Sequence, residues 1–301
     1  MEPDPAQLAA LVAIADLGSF EAAARELHVT PSAVSQRIRA LERGAGQVLV
    51  SRGAPCRPTA AGEALVRLGR QLRLVYDEAR RELAPTTVVD LRVAVNADSL
   101  ATWFRDVLAT AASWRLTALR LQVEDQAWSQ DLLRGGEVLA AVTSDPAPVQ
   151  GCTVEPLGAL RYLPVATPAL AGLPWSERPL VVFNEKDTLQ HGLLERRGMA
   201  PPAVVHRVPT SADFAEAVRL GLGWALLPES QAAAGLEAGE LVRLGRDHVD
   251  VPLHWQRWRL ESEMLDRLTE AVRAAARVGL RRTRQTNPDV VRGGRPSNRR
   301  A

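Results

Sequence analysis

Apolar residues recur with a helical period from the start of the chain. Pro5 to Leu17 is apolar at Leu8, Leu11, Val12 and Ala15, and Gly18 closes the segment. Ser19 can cap a second helix, Phe20 to Leu27, and "HVT" makes a short turn after it. Thr30 caps a third helix that opens on Pro31, where the missing N–H costs nothing. In that helix Val34, Ile38 and Leu41 form one apolar stripe, to be packed on the first two helices. Ser32, Gln36, Arg39 and Arg43 gather on the opposite side, Thr30, Ser35 and Arg37 stand beside them, and no acid occurs before Glu42. Two helices joined by a three-residue turn make a helix-turn-helix candidate. Gln and Arg form bidentate pairs with base edges in the major groove, so the outward stripe suits double-stranded DNA. A merely solvated face would mix charges of both signs.

After the third helix the pattern shortens. Val48 to Ser51 reads as a strand, Arg52-Gly53 as a turn, and Arg57 follows, which together resemble a wing. Arg52 and Arg57 are placed to touch phosphates, contacts that set affinity and register rather than base choice. Thr59 caps a long helix running to about Ala84 and stopped by Pro85. Leu65, Leu68, Leu72, Val75, Ala79 and Leu83 are spaced 3, 4, 3, 4 and 4 along it. That narrow, near-heptad seam asks for a partner helix and predicts a homodimer.

From Val88 strands alternate with helices, which sets the overall class as α/β. The strands are "VDLRVAVN", "ALRLQVED", "EVLAAVTSD", "PLVVFN", "AVVHRVP", "WALLPE" and "PLHWQRWRL". The helices are "SLATWFRDVLATA", "SQDLLRG", one near "DTLQHGLLERR", "SADFAEAVRLGLG" and one from Glu261 to about Arg277. Two similar sets predict two lobes with a ligand cleft between them. The expected division is 1–58 for the winged helix-turn-helix, 59–85 for the linker helix and 86–280 for the two-lobed domain. Lobe I spans about 88–162 with 256–280, and lobe II about 163–255. Residues 281–301 are nearly free of apolar side chains and read as a disordered basic tail.

Composition narrows the function classes. With 46% apolar and 24% charged residues, 301 residues describe an ordinary globular protein of two or three domains. No apolar run reaches the roughly 18–20 residues of a membrane span, and the N-terminus lacks the basic start of a signal peptide. A cytoplasmic protein with no membrane partner is expected. Cys56 and Cys152 lie far apart and the five histidines show no metal spacing, so neither a disulfide framework nor a metal or cofactor site is expected. No nucleophile–base pair or Gly-rich phosphate loop points to an enzyme. The net charge of +2 conceals two basic zones. Nine arginines face three acids between Arg25 and Arg73, and seven face only Asp289 after Leu280. Both favour a polyanionic partner.

The blocks "FEAAARELHVTPSAVSQRIRALE" and "PTAAGEAL" resemble the LysR-type transcriptional regulators, and the resemblance extends to about Leu280. Within that family, "VNADSLATWF", "AVTSDPAPVQGC", "FNEKDTLQ", "HRVPTSADFAEAV", "GLGWALLPE" and "PLHWQRWRL" resemble the ArgP/LysG branch. The resemblance implies a winged helix-turn-helix, a linker helix and a two-lobed α/β effector-binding domain of periplasmic-binding-protein type. It further implies a dimer of dimers, contact with RNA polymerase on activation, and control of a lysine/arginine exporter gene by lysine, arginine or histidine. Two departures stand out. Val50 replaces the usual Phe of the wing, and Ala127-Trp128 replaces an Asp-His pair after "VEDQ", which removes one acid from the expected effector region.

An amino-acid effector needs donors for its carboxylate and acids for its ammonium groups. Ser99, with Thr102 beside it, stands where a strand gives way to a helix and suits an anion, although an ordinary N-cap would look the same. Thr143 and Ser144 end another strand and offer hydroxyls. Asp125 and Asp145 follow strand ends, where a carboxylate can meet a cationic side chain, although Asp145-Pro146 also reads as a turn opener. Thr210 and Ser211 precede a lobe II helix and could close the site. Trp224 and Trp255 read as core and His28 as structural. The alternatives are a LysR-type activator or repressor of another gene with a different effector, and an amino-acid solute-binding protein.

Overall fold

The computed structural model describes residues 2–84, 86–123, 129–185 and 187–282. Helix α1 (Pro5–Leu17) begins where the Asp4 carboxylate accepts the N–H groups of Ala6 and Gln7, and it ends at Gly18, whose φ of 72° is left-handed. The hydroxyl of Ser19 accepts the Ala22 N–H at the start of α2 (Phe20–Glu26), and that of Thr30 accepts the Ala33 N–H at the start of α3 (Pro31–Ala45). His28 carries the turn between them at φ 52°. Ile14, Ala23, Val34, Ile38, Leu41, Leu49 and Val66 close one core. Each large aliphatic side chain buried there contributes about 1.5–3 kcal/mol relative to exposure.

The wing is β1 (Val50–Ser51) paired antiparallel with β2 (Arg57–Pro58). It starts two residues later than expected because the Val48 carbonyl accepts the Thr59 hydroxyl at 2.8 Å instead of entering the ladder. Thr59 caps α4 (Ala60–Leu83). The helix lies flush on its neighbours: a Cβ on Gly62 would stand 2.0 Å from the Leu49 carbonyl oxygen, and one on Gly69 would stand 2.8 Å from Val12 Cγ2. Pro85, the expected stop, lies outside the described residues.

The second half follows as β3 (Val89–Val95), α5 (Ala97–Ala101), α6 (Arg105–Ala111), β4 (Thr117–Val123), α7 (Ser129–Arg134) and β5 (Ala140–Thr143). The single helix expected across Ser99 to Ala111 is broken at Thr102, with φ −121° and ψ −109°. The break lets the adjacent Trp103 and Phe104 both enter the core, which neighbours 100° apart on one regular helix could not share so fully. Next come β6 (Cys152–Ala166), α8 (Pro168–Ala171), β7 (Leu180–Val182), α9 (Leu189–Arg196), β8 (Val205–Arg207), α10 (Ser211–Arg219) and β9 (Ala225–Pro228). The chain then forms α11 (Glu229–Glu237), β10 (Val242–Arg243), β11 (Val249–Trp258) and α12 (Glu263–Gly279).

One sheet, ordered β10-β6-β11-β5-β3-β4 with β9 also on β6, ties the two lobes together. β3 pairs in parallel with β4 and β5, whereas β6 and β11 are antiparallel and long enough to run through both lobes. Their register slips between Leu253 and His254, beside Gly158 at φ 138°, a bulge that bends the pair. In lobe II, β7 and β8 pair in parallel. Trp224 and Trp255 are buried at 0% and 1% exposure, as core residues. The basic tail does not begin as free chain at Arg281. That residue exchanges backbone hydrogen bonds with Ala159 at 2.8 and 2.9 Å and pairs with Glu229 at 2.7 Å. Residues 283–301 lie outside the described residues. Among the described residues, no single helix is long and apolar enough to cross a membrane.

Candidate functional site

On α3 the outward stripe is open. Ser32, Gln36, Arg39 and Arg43 are exposed, while Ser35 and Arg37 are half-buried at its edges. Thr30 is occupied as the cap and lies 2.9 Å from the Ser32 hydroxyl. The acid that ends the stripe is turned away: Glu42 Oε1 accepts the Leu49 N–H at 3.0 Å and so buttresses the wing. Arg52 and Arg57 are exposed on the wing, and the Arg52 guanidinium lies 5.5 Å from the Phe20 ring centroid. The result is a hydroxyl-amide-guanidinium face flanked by two cations, which is the chemistry of base edges bordered by phosphates.

The second site is a cavity of about 530 Å³ between the lobes. Asp98, Asp145 and Asp187 line it with Tyr162, and Phe183, Phe214 and Leu226 form apolar wall. No arginine or lysine occurs among its described lining residues. Tyr162 donates its hydroxyl to Asp98 Oδ2 at 2.8 Å, and Ser211 on α10 donates to Asp98 Oδ1 at 3.2 Å. Gln231 donates to that Ser211 hydroxyl at 3.2 Å, so Asp98 bridges the lobes. Burial pushes the Asp98 carboxyl above the ordinary carboxylate range; the Tyr162 and Ser211 hydrogen bonds oppose this, and the Asp187 charge adds to it. Burial beside Asp98 likewise raises the Tyr162 phenol. Asp187 is held by the N–H groups of Phe183 and Leu189 at 2.9 and 3.2 Å.

The expected effector residues divide. Ser144 and Asp145 line the cavity, and Ser211 reaches it through Asp98. Asp145 also accepts the Ala147 N–H at 2.8 Å, so its turn role is present as well. Ser99 is neither cap nor lining residue. Asn96 caps α5, because the helix begins at Ala97 and places Ser99 in its first turn, facing inward at 0% exposure. Thr102 donates to the Asp98 carbonyl at 2.6 Å, Thr143 is fully buried and accepts the Asp145 N–H, and Thr210 caps α10 from an exposed position. None of these three lines the cavity. Asp125, Ala127 and Trp128 lie outside the described residues. Sequence reasoning missed Asp98, Tyr162 and Asp187. Asp98 stood beside Ser99 at the same strand end, whereas Tyr162 lies on a strand the pattern did not reveal.

The seam of α4 is also divided. Leu65 packs into the first domain's own core, a correction to its expected place between two chains. Leu68 and Leu72 are half-buried, while Val75, Tyr76 and Ala79 are exposed. A groove of about 860 Å³ runs beside them, walled by Leu8 and Val12 of α1 and Leu72 and Tyr76 of α4.

Residues 5–63 match the model of the bacterial regulatory helix-turn-helix protein, lysR family, and residues 89–280 match the LysR substrate binding domain. The chain belongs to the LysR family of bacterial transcriptional regulators. Within the family its similarity is to the LysG and ArgP regulators. It is 51% identical to the lysine export transcriptional regulatory protein LysG of Corynebacterium efficiens, over 92% of this chain and 99% of that one. Full-length LysG of Corynebacterium glutamicum, solved with bound effector Arg, matches with a TM-score of 0.80 at 46% identity, over 92% and 99% of the two chains. ArgP from Mycobacterium tuberculosis matches with a TM-score of 0.85 at 44% identity, over 94% and 100%.

Proposed function

We propose that this regulator senses arginine or lysine in the cleft and, in response, activates a gene for export of basic amino acids. The observation that carries the reading is the cleft's charge: three aspartates and no cation among the described lining residues. A neutral or acidic ligand would leave those carboxylates uncompensated in a partly dry site, whereas a basic amino acid brings two cationic ends. The LysG solved with arginine supports the same choice. Gln36 and Arg39 read base edges, with Ser32 beside them, and Arg43, Arg52 and Arg57 hold phosphates. Thr30 sets the helix start.

Dimerisation follows from the exposed half of the seam. Val75, Tyr76 and Ala79 of one copy enter the groove beside α4 of a second copy, which places two reading heads on two half-sites. A dimer of dimers, working in the cytoplasm and contacting RNA polymerase when activating, completes the proposal. Calorimetric titration of the full chain with arginine, lysine, histidine and citrulline tests the effector. Binding of arginine or lysine with citrulline rejected is expected. Absence of binding by all three basic amino acids would refute the reading.

A further inference from the structure

Helix α7 touches the cleft at one end and the linker helix α4 at the other. Gln130, in its first turn, is a wall residue of the cleft and donates to the Ala147 carbonyl at 3.2 Å. One turn on, Arg134 Nη2 donates to Gln130 Oε1 at 3.0 Å. Past that point the carbonyl groups face α4. Arg67 Nη1 donates to the Arg134 carbonyl at 2.9 Å, and Arg70 Nη1 donates to the Gly135 carbonyl at 2.8 Å. Arg70 also pairs with Asp16 on α1, and Arg92 of β3 approaches that same carboxylate at 3.7 Å. Hydrogen bonds, the Arg134–Gly135 backbone and the Arg70–Asp16 ion pair thus join the cleft wall to the first helix of the reading head.

Two independent features mark this junction as built. The Arg70 side chain is only 12% exposed, and its Nε is buried with no hydrogen-bond partner among the described residues. All of its hydrogen bonds therefore run through Nη1 to the Gly135 carbonyl and Nη2 to Asp16, so a shift of Gly135 acts directly on the Arg70–Asp16 pair. Gly136 has φ 67°, and a Cβ on it would stand 3.0 Å from Arg67 Cα. The Gly135-Gly136 loop therefore lies directly on the α4 backbone, with no side chain to cushion a displacement. A ligand shifts an equilibrium only through states with which it interacts differently. A ligand drawn against Gln130 and the neighbouring Asp145 acts on the first turn of a six-residue helix whose other end rests on α4.

We propose that α7 and the Gly135-Gly136 loop transmit occupancy of the cleft to the angle of the reading head, with Arg70 as the positioning residue at the joint. The inference rests on the basic-amino-acid reading given above. Neither Arg67 nor Arg70 contacts the cleft or belongs to the reading face, so coupling can be changed without touching either binding site.

The test compares the full chain with Arg70→Met. Arginine is titrated by calorimetry into the free protein and into protein saturated with a duplex from upstream of its own gene. The ratio of the two dissociation constants is the coupling factor, and the same factor must appear in the DNA affinity measured with and without arginine. For the wild type a factor of about 5 or more is expected. In Arg70→Met it should fall to within about twofold of one, while arginine affinity without DNA and DNA affinity without arginine stay within about threefold of wild type. A merely structural strut would lower stability and leave the factor in place. If Arg70→Met fails to fold, Asp16→Asn, which removes the charged partner of Arg70 on α1, must show the same loss. A wild-type factor retained in the folded variant, or a wild-type factor of one, overturns the proposal. Failure of the wild type to bind any basic amino acid overturns the effector reading along with it.

Discussion

Asp98→Asn removes a charge while leaving the shape of the cleft floor nearly intact. The amide oxygen can still accept from Tyr162, and the amide N–H can donate to the Ser211 hydroxyl, whose own proton then turns to another acceptor. What disappears is the attraction for a cation. Two unit charges 4 Å apart attract by about 4 kcal/mol at an effective dielectric constant of about 20, and part of that is returned as desolvation. A net loss of about 2–4 kcal/mol follows, which weakens the arginine dissociation constant about 30- to 700-fold. Stability moves the opposite way. Because burial holds the Asp98 carboxyl above its ordinary value, the folded state binds that proton more tightly than the unfolded state. The Asp98 contribution therefore falls as pH rises from the ordinary carboxylate value through the raised one, and its ionised form is a cost at neutral pH. The ligand-free variant should melt at or above the wild-type temperature at neutral pH, with the gain shrinking as pH falls. Arginine binding by the wild type should weaken as pH drops through the raised value, and the variant should lack that dependence. Calorimetry over a pH series, with melting curves of the free proteins, measures all of this. An Asp98→Asn variant that binds arginine within about threefold of wild type, with the same pH slope, would refute the assignment.

On the reading helix, Gln36→Ala should relax base preference at one operator position and cost about 1–3 kcal/mol on the preferred sequence, measured by binding to a set of single-base variants. Arg57→Ala should weaken binding to every sequence alike and lower the slope of log affinity against log salt by about one. Gly62→Ala should cost at least about 2 kcal/mol in urea unfolding, since its Cβ would press on a backbone oxygen that cannot yield. Gly192→Ala, inside α9 with nothing within 4 Å of the added Cβ, should stabilise by about 0.5–1 kcal/mol in the same assay. Tyr76→Glu should weaken the dimer in sedimentation experiments, and an unchanged dimer would remove the exposed seam from the interface.

The first domain was legible in the sequence because local rules and global packing agree there. Each expected cap on α2, α3 and α4 is made by the expected side chain, and the apolar stripe Val34-Ile38-Leu41 is the buried face. β6 was hidden for the opposite reason. Its Pro156, Gly158 and Pro164 read as breakers, yet the strand tolerates them where the sheet bends and where it passes from one lobe to the other. With β6 invisible, Tyr162 could not be placed opposite Asp98. The effector region was sought at strand-to-helix junctions, and one cavity-lining residue, Asp98, lies at such a junction. Asp98 lines the cavity, whereas Ser99 is buried in the first turn of a helix that starts at Ala97, two residues before the expected start. One position in a short helix is about 100°, enough to exchange a lining residue for a core residue. The α4 seam divided because its N-terminal turns are consumed by the chain's own α1 and wing, a packing that spacing alone does not reveal.

On the proposed function, a basic amino acid in the cleft changes how this regulator holds DNA. DNase footprinting on the region upstream of its own gene, with and without arginine, lysine and histidine, tests it most directly. A protected site in every lane is expected, with a changed boundary or hypersensitive pattern in the presence of arginine or lysine. An identical footprint with all three amino acids would contradict it.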